Sequence, residues 1–197
     1  MKRRALRGDR PRMMAVLIAA FLFGALLGSL LVSCLKTEGG GAYAVYYRSL
    51  CQGTYRPSLQ LMLTSGLVCA SLVFFGAFSR LGALIVPVCL GAKGFVLSFA
   101  VTSCIRAFGA RGYLPAMPAL LLPGFSELFV LTLMGCRALE YSAASGRRGM
   151  TSALGLIRGD RSFLLCLPLS WAATVVSAVL QSRLLVPLAC LIVRRYC

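Results

Sequence analysis

The chain has 197 residues, of which 59% are hydrophobic and 13% are charged, and its mean hydropathy is +0.84. Roughly a quarter of the residues in a soluble domain are charged, so the composition excludes an ordinary soluble domain and predicts an all-α, polytopic membrane helix bundle. The net charge of +16 comes mostly from residues at the ends of apolar runs, where basic residues signal membrane topology and give no indication of nucleic-acid binding.

The first 35 residues combine a basic segment with an uncharged apolar run. Residues 1–12 carry six basic residues and one acid, and residues 13–35 carry no charge. The run is long enough to cross about 30 Å of hydrocarbon and exceeds the core of a signal peptide, about 7–15 residues. We therefore expect an uncleaved first span in the cell membrane and a cytoplasmic N-terminus. Gly24 and Gly28 form a G-x-x-x-G pair, for which general helix packing is favoured over a dimer face.

Residues 36–57 form a polar segment with three consecutive glycines and four tyrosines. The topology predicts that this segment lies outside the cell. Tyrosine is common at membrane interfaces, so anchoring is the favoured interpretation. Contact with a partner protein is the alternative, and its candidate residues are Tyr43, Tyr46 and Tyr47. Cys51 lies in the same segment, and a disulfide to Cys34 or Cys104 stays open.

Later apolar runs bring the expected number of spans to about five, all in one membrane domain of residues 13–197. These spans are expected at 58–79, 81–105, 113–136 and 162–182. Three prolines in the fourth span predict a kinked helix, because proline removes a backbone donor. The basic segment 137–161 is expected to be a cytoplasmic loop. The apolar segment 184–193 is short for a crossing, so it is either re-entrant, interfacial or a continuation of the fifth helix.

The sequence offers little for catalysis or cofactor binding. It contains no histidine, which excludes Ser-His and Cys-His dyads and the H-E-x-x-H zinc motif. It also contains no phosphate-binding loop, and its nine cysteines form no C-x-x-C pair. Five acidic residues spread along the chain predict no paired carboxylates. We therefore expect a protein that is not an enzyme and that needs no metal or cofactor.

Two charged residues lie inside predicted spans, Lys93 in the third and Glu127 in the fourth. A lysine at the centre of a span costs about 2.5–3.5 kcal/mol on insertion scales. Counted from the cytoplasmic ends of their spans, the two residues differ in depth by roughly 4–5 Å. We therefore predict an ion pair, which either fixes only the helix register or forms a polar pocket for an ion or partner. The remaining alternative is that Lys93 snorkels alone.

Residues 76–114 resemble the core of the stage II sporulation protein M family. The resemblance consists of a small-residue turn, an apolar run with a proline, a Lys-Gly-Phe motif and a Gly-x-x-Gly turn. The matching residues in this chain are Ser79, Gly82, Pro87, Lys93, Gly94, Phe95, Phe99, Gly109 and Gly112. A second, looser stretch places Pro123, Gly124 and Glu127 on the family's fourth segment, without the histidine found in wider relatives.

The resemblance implies a multi-pass membrane scaffold that acts during forespore engulfment. Proteins of this family anchor peptidoglycan-degrading partners, the stage II sporulation proteins D and P. By this interpretation the chain contacts membrane lipid and these hydrolases and binds no nucleic acid. The alternative function is a small transporter or an ABC-type permease subunit, which would use Lys93, Glu127 and the kinked fourth span.

Overall fold

The computed structural model describes residues 10–34, 45, 49, 59–109, 113–148, 160–185, 187–188 and 190–191. The partner-loop tyrosines Tyr43, Tyr46 and Tyr47, together with Cys51 and Gly112, lie outside these residues. The described chain is helical and contains no strand, which confirms the all-α prediction. In chain order its helices are α1 Arg10–Cys34, α2 Leu59–Gly76, α3 Gly82–Phe108, α4 Tyr113–Ala116, a π-helical segment π1 Met117–Leu121, α5 Leu122–Arg148, α6 Arg161–Leu180 and a second π-helical segment π2 Gln181–Leu185.

Four stretches of the described chain are long and apolar enough to cross a membrane, as expected for a membrane protein. They are Pro11–Cys34, Gly82–Phe108, Leu122–Ala143 and Arg161–Leu184. The apolar part of α2, Leu63–Gly76, is shorter than these four. The chain turns immediately after α2, through residues 77–81, and α3 begins at Gly82.

The membrane helices α1, α2, α3, α5 and α6 alternate in direction along the chain. Gly24 of α1 lies against Gly91 of α3, and Gly28 lies against Phe95, so α1 and α3 are parallel. The intervening helix α2 therefore runs in the opposite direction to both. Helices α3 and α5 are antiparallel, since Val86 contacts Gly135 near one end of the bundle and Leu97 contacts Gly124 towards the other. Helices α2 and α6 are antiparallel by the same criterion, with Phe74 on Phe163 and Gly66 on Thr174.

We call the two ends of the bundle the turn end and the far end. The turn end contains residues 77–81, the starts of α1 and α6 and the part of α5 around Tyr141. The far end contains the ends of α1 and α3, the start of α2, and the segments α4, π1 and π2. This arrangement follows from the alternating directions of the helices.

The contact between α1 and α3 depends on glycine. A Cβ atom at Gly24 would overlap the carbonyl oxygen of Gly91, and one at Gly28 would overlap the carbonyl oxygen of Phe95. From the other side, a Cβ at Gly94 would overlap the carbonyl oxygen of Phe21. The two helices thus meet backbone to backbone, as small residues allow in membranes. The G-x-x-x-G pair packs within the chain, in keeping with its interpretation as general packing.

The hydrophobic core lies towards the turn end, where α2, α3, α5 and α6 converge. Phe74 and Phe163 stack with their ring centroids 5.0 Å apart, and Tyr141 meets Phe163 edge-on at 4.9 Å. Leu90 and Met134 are fully buried beside them. Large apolar side chains such as Phe23, Phe129 and Val176 are more than 60% exposed on the outside of the bundle, which is the surface that lipid would cover.

The structure corrects the expected loop at 137–161. Helix α5 continues through this boundary to Arg148. The extension is stable because its side chains have partners inside the bundle: Ser142 donates a hydrogen bond to the carbonyl oxygen of Ser79, and Tyr141 donates one to Asp160. Within the apolar segment 184–193, the described residues from 187 onwards are helical.

Replacing Gly24 by leucine should break the contact between α1 and α3, because the new side chain would meet backbone that cannot rotate away. We expect a loss of stability of about 1–3 kcal/mol, the usual cost of overpacking. Ala19→Leu is the matched control, since Ala19 lies on the exposed face of the same helix. Titration of the purified protein with SDS in mild detergent measures both variants. Equal stability of the two variants would contradict the glycine contact.

Candidate functional site

The two intramembrane charges meet in the structure. Lys93 Nζ lies 2.9 Å from Glu127 Oε2, which is both a hydrogen bond and a salt bridge between α3 and α5. The side chains keep 26% and 20% of their surface exposed. Lys93 is therefore paired and does not snorkel alone. Pairing neutralises two charges that would each be costly in hydrocarbon.

The pair forms part of the wall of a cavity. The cavity has a volume of about 210 Å³ and extends from Lys93 towards the far end. All of α1, α2, α3, α5 and α6 contribute to its wall, together with π1 and π2. The polar groups of the wall are Lys93, Glu127, Ser65 and Gln181. The remainder is apolar, so the ion pair is the charged feature of this cavity.

Irregular helix geometry surrounds the far end of the cavity. The chain from 113 to 123 contains Pro115, Pro118 and Pro123, none of which has a backbone N–H. The sequence predicts a kink here, and the structure has π1, in which the N–H of Leu122 donates to the carbonyl oxygen of Met117, five residues back. Segment π2 contacts π1 across the bundle. Such wide turns occur frequently at functional sites.

A second polar cluster closes the turn end. The Tyr141 hydroxyl donates a hydrogen bond to Asp160 Oδ2, and Arg137 Nη1 lies 3.6 Å from the same oxygen. The bond from Tyr141 is the main cause that lowers the pKa of Asp160; the positive charge of Arg137 acts in the same direction, and burial opposes both. Glu140 is also buried here, with 5% of its surface exposed.

Sequence reasoning missed this cluster because it placed Arg137, Tyr141 and Asp160 in a loop. The available signals were the spacing of four between Arg137 and Tyr141, which puts both on one helix face, and an aspartate three residues before an apolar run.

Two residues of the family resemblance, Lys93 and Glu127, form the ion pair, and Pro123 and Gly124 line the cavity beside it. The other described members lie elsewhere. The carbonyl oxygen of Ser79 accepts the bond from Ser142 at 2.8 Å, and Gly82 packs against Gly76 at the turn. Gly94 contacts α1, and Phe95 stacks on Phe99 at 6.0 Å. Two further residues of the resemblance belong to α3. Pro87 lies inside the helix, and Gly109, with a φ of +68°, follows its last residue. In this chain these residues serve turns and helix packing.

The remaining candidates from the sequence are the cysteines of the proposed disulfide and groups that could bind a metal. Cys34 is exposed and Cys104 is fully buried, while their proposed partner Cys51 lies outside the described residues. The described part of the chain contains no group of three histidine, cysteine, aspartate or glutamate residues placed to hold a metal ion. The candidate site is the cavity with the ion pair in its wall.

Single substitutions of the ion pair should destabilise the protein more than the double substitution. Lys93→Met and Glu127→Gln each leave one charge without its partner, which costs about 3–5 kcal/mol for a buried pair and less here because both side chains are partly exposed. The double variant should recover most of the loss. Double-mutant cycles on the free energy of unfolding measure the coupling. Additive losses would show that the two side chains do not interact.

The Asp160 cluster should make stability depend on pH in the acid range. Because the folded state lowers the pKa of Asp160, the cluster stabilises the protein above the ordinary aspartate pKa of about 3.9. This contribution is lost as the pH falls through the lower pKa of the folded state. Wild type should therefore exceed Asp160→Asn in stability at pH 7, and the difference should shrink below about pH 4.

Thermal unfolding between neutral and acid pH measures this difference. Tyr141→Phe removes only the phenolic hydroxyl and should reduce the pH dependence, since its hydrogen bond is the largest cause of the lowered pKa. A difference between wild type and Asp160→Asn that stayed constant across the range would contradict the role of Asp160.

Comparison with known proteins gives no relative for this chain. No family model matches it, and neither a curated protein nor a solved structure matches it. The resemblance of residues 76–114 to the sporulation family therefore stays an expectation from the sequence.

Proposed function

We propose that the protein is a multi-pass membrane scaffold that holds partner proteins at the membrane surface. The observation that carries this proposal is the interlocking of the central helices. Gly24, Gly28 and Gly94 lock α1 against α3 backbone to backbone. The ion pair then joins α3 to α5. Helices held in this way form a rigid unit, which suits an anchor better than a carrier whose halves rock against each other.

The proposed scaffold lies in the cell membrane with its turn end in the cytoplasm. Arg12, Arg80 and Arg161 all lie at the turn end, where α1 starts, α2 ends and α6 starts. Basic residues near span ends favour the cytoplasmic side. With this orientation residues 36–57 and their tyrosines face outwards. The proposed partners are peptidoglycan-degrading proteins of the stage II sporulation D and P type, which work on that side and are suggested by the family resemblance.

A second candidate function is that of a small transporter or an ABC-type permease subunit. The observation in its favour is the cavity that extends from Lys93 and Glu127 to the far end. Polar groups near the membrane midplane beside irregular helices are typical of substrate sites in transporters. This function requires that helices move relative to one another, which the contacts among α1, α3 and α5 and the packed core shared with α2 and α6 oppose.

Partners recovered with the full chain distinguish the two functions. Affinity purification of the tagged protein from its host during sporulation, followed by mass spectrometry, should recover peptidoglycan-degrading proteins. Recovery of a solute-binding protein or an ATPase without a wall hydrolase would contradict the scaffold and favour transport. Replacing Tyr43, Tyr46 and Tyr47 together by alanine should reduce partner recovery without reducing the amount of inserted protein, because span length and basic flanks set insertion.

Two controls accompany this experiment. Tyr113→Ala removes an exposed tyrosine at the far end, on the same proposed side, and should leave partner recovery unchanged. A chain that retains only Cys51 reports the orientation, since a membrane-impermeant maleimide should label it in intact cells. Labelling only after lysis would contradict the orientation and place the tyrosine segment in the cytoplasm.

A further inference from the structure

The cavity beside Lys93 and Glu127 is larger than the ion pair requires. Its volume of about 210 Å³ would hold about seven water molecules at about 30 Å³ each. A pair that served only to fix helix register would need no such space. Pockets for drug-sized ligands begin at about 300 Å³, so a ligand that fits here is smaller than those.

The charges of the cavity restrict the kind of ligand. Lys93 and Glu127 lie next to each other, and their charges sum to zero. A lone anion near Lys93 would be repelled by Glu127, and a lone cation near Glu127 would be repelled by Lys93, with little screening in a low-dielectric wall. A molecule that carries both charges avoids this conflict, because each of its charged groups faces the opposite charge of the protein.

The pair retains hydrogen-bonding capacity for such a ligand. An ammonium group has three donors and a carboxylate has about four acceptor sites, and the bond between Lys93 and Glu127 uses one of each. Both side chains are partly exposed. Ser65 and Gln181 also line the cavity, and both have interaction partners of their own.

Helix α6 contains a buried polar atom close to the cavity wall. Within the described residues, Ser177 Oγ is the buried side-chain oxygen or nitrogen that lacks a hydrogen-bond partner. Ser177 directly precedes Ala178 and lies one turn before Gln181, and both of these line the cavity. Buried polar atoms are nearly always paired with protein or with ordered water, so a water molecule could reach Ser177 from this side of the bundle.

We propose that the cavity binds a small zwitterion, with the ligand's anionic oxygens on Lys93 and its ammonium group on Glu127. The close spacing of the two protein charges, 2.9 Å between Nζ and Oε2, matches a ligand whose own charges are neighbours, as in an α-amino acid. The same chemistry occurs in a free amino acid and in the ethanolamine headgroup of a membrane lipid. The proposal is independent of whether the protein acts as a scaffold or as a transporter.

Equilibrium binding of radiolabelled L-alanine to the full chain tests the proposal. The protein is reconstituted in nanodiscs of phosphatidylglycerol, which has no amine. L-alanine should bind saturably, and unlabelled acetate or methylammonium at the same concentration should not displace it. Displacement by either single ion as effective as that by unlabelled L-alanine would overturn the zwitterion assignment.

Two variants tie binding to this cavity. The double variant Lys93→Met/Glu127→Gln should lose affinity about tenfold or more, equivalent to about 1.4 kcal/mol per factor of ten. Ala178→Leu places a larger side chain in the cavity wall while keeping both charges, and it should also weaken binding. Ala172→Leu, on the exposed face of the same helix, is its matched control and should bind like wild type. Unchanged affinity in the double variant would overturn the proposal.

A second set of binding measurements, made with lipid headgroups, identifies the source of the ligand. Soluble phosphoethanolamine as competitor, and nanodiscs that contain phosphatidylethanolamine, test the headgroup. If both phosphoethanolamine and phosphatidylethanolamine abolish alanine binding, the result would support the proposed site and assign it to the lipid. Alanine binding that both leave intact would support the site and assign it to a free solute. Failure of both L-alanine and phosphoethanolamine to bind wild type would overturn the proposal, whatever partners the chain recovers from cells.

Discussion

The absence of side chains at three glycines of the α1–α3 contact governs the rest of the bundle. Gly24, Gly28 and Gly94 let the two backbones touch, and this contact fixes the rotation of α3 about its own axis. Successive residues of a helix point about 100° apart, so with Gly94 turned to α1 the neighbouring Lys93 is turned away from it, towards α5. The position of the ion pair thus follows from the glycine contact.

The two ends of the bundle are held by different forces. At the turn end, aromatic stacking of Phe74 on Phe163 and the hydrogen bonds of Tyr141 and Ser142 join the helices. Towards the far end, prolines and the two π-helical segments interrupt regular hydrogen bonding, and the helices separate enough to leave the cavity. Close packing at the turn end and a cavity towards the far end suit a protein that is rigid as a whole and has one local site.

The ion pair connects these two regions and bears on both proposals. As a structural contact it joins α3 to α5 and adds to the rigidity expected of a scaffold. As part of the cavity wall it supplies two opposite charges where apolar residues would give better membrane solubility. Register alone could be fixed by packing, so the retained charges and the empty volume beside them together favour a role in binding.

The sequence by itself determined the all-α class and the presence of apolar helices long enough for a membrane, and it predicted the pairing of Lys93 with Glu127. Composition, the length of an apolar run and the depth of a residue along a helix can all be counted from the sequence. A charge inside hydrocarbon is costly, so an ion pair is the favoured arrangement for two such charges. Only the tertiary structure decided that α5 continues past Arg137. The sequence predicts a loop there, and the partner that Arg137 and Tyr141 share, Asp160, comes from another segment of the chain. The tertiary structure also decided that Gly24 and Gly28 face α3, and that Ser65 and Gln181 share a cavity with the ion pair. These features depend on which helix faces touch, and that choice is made by the fit of side chains from helices distant in the chain.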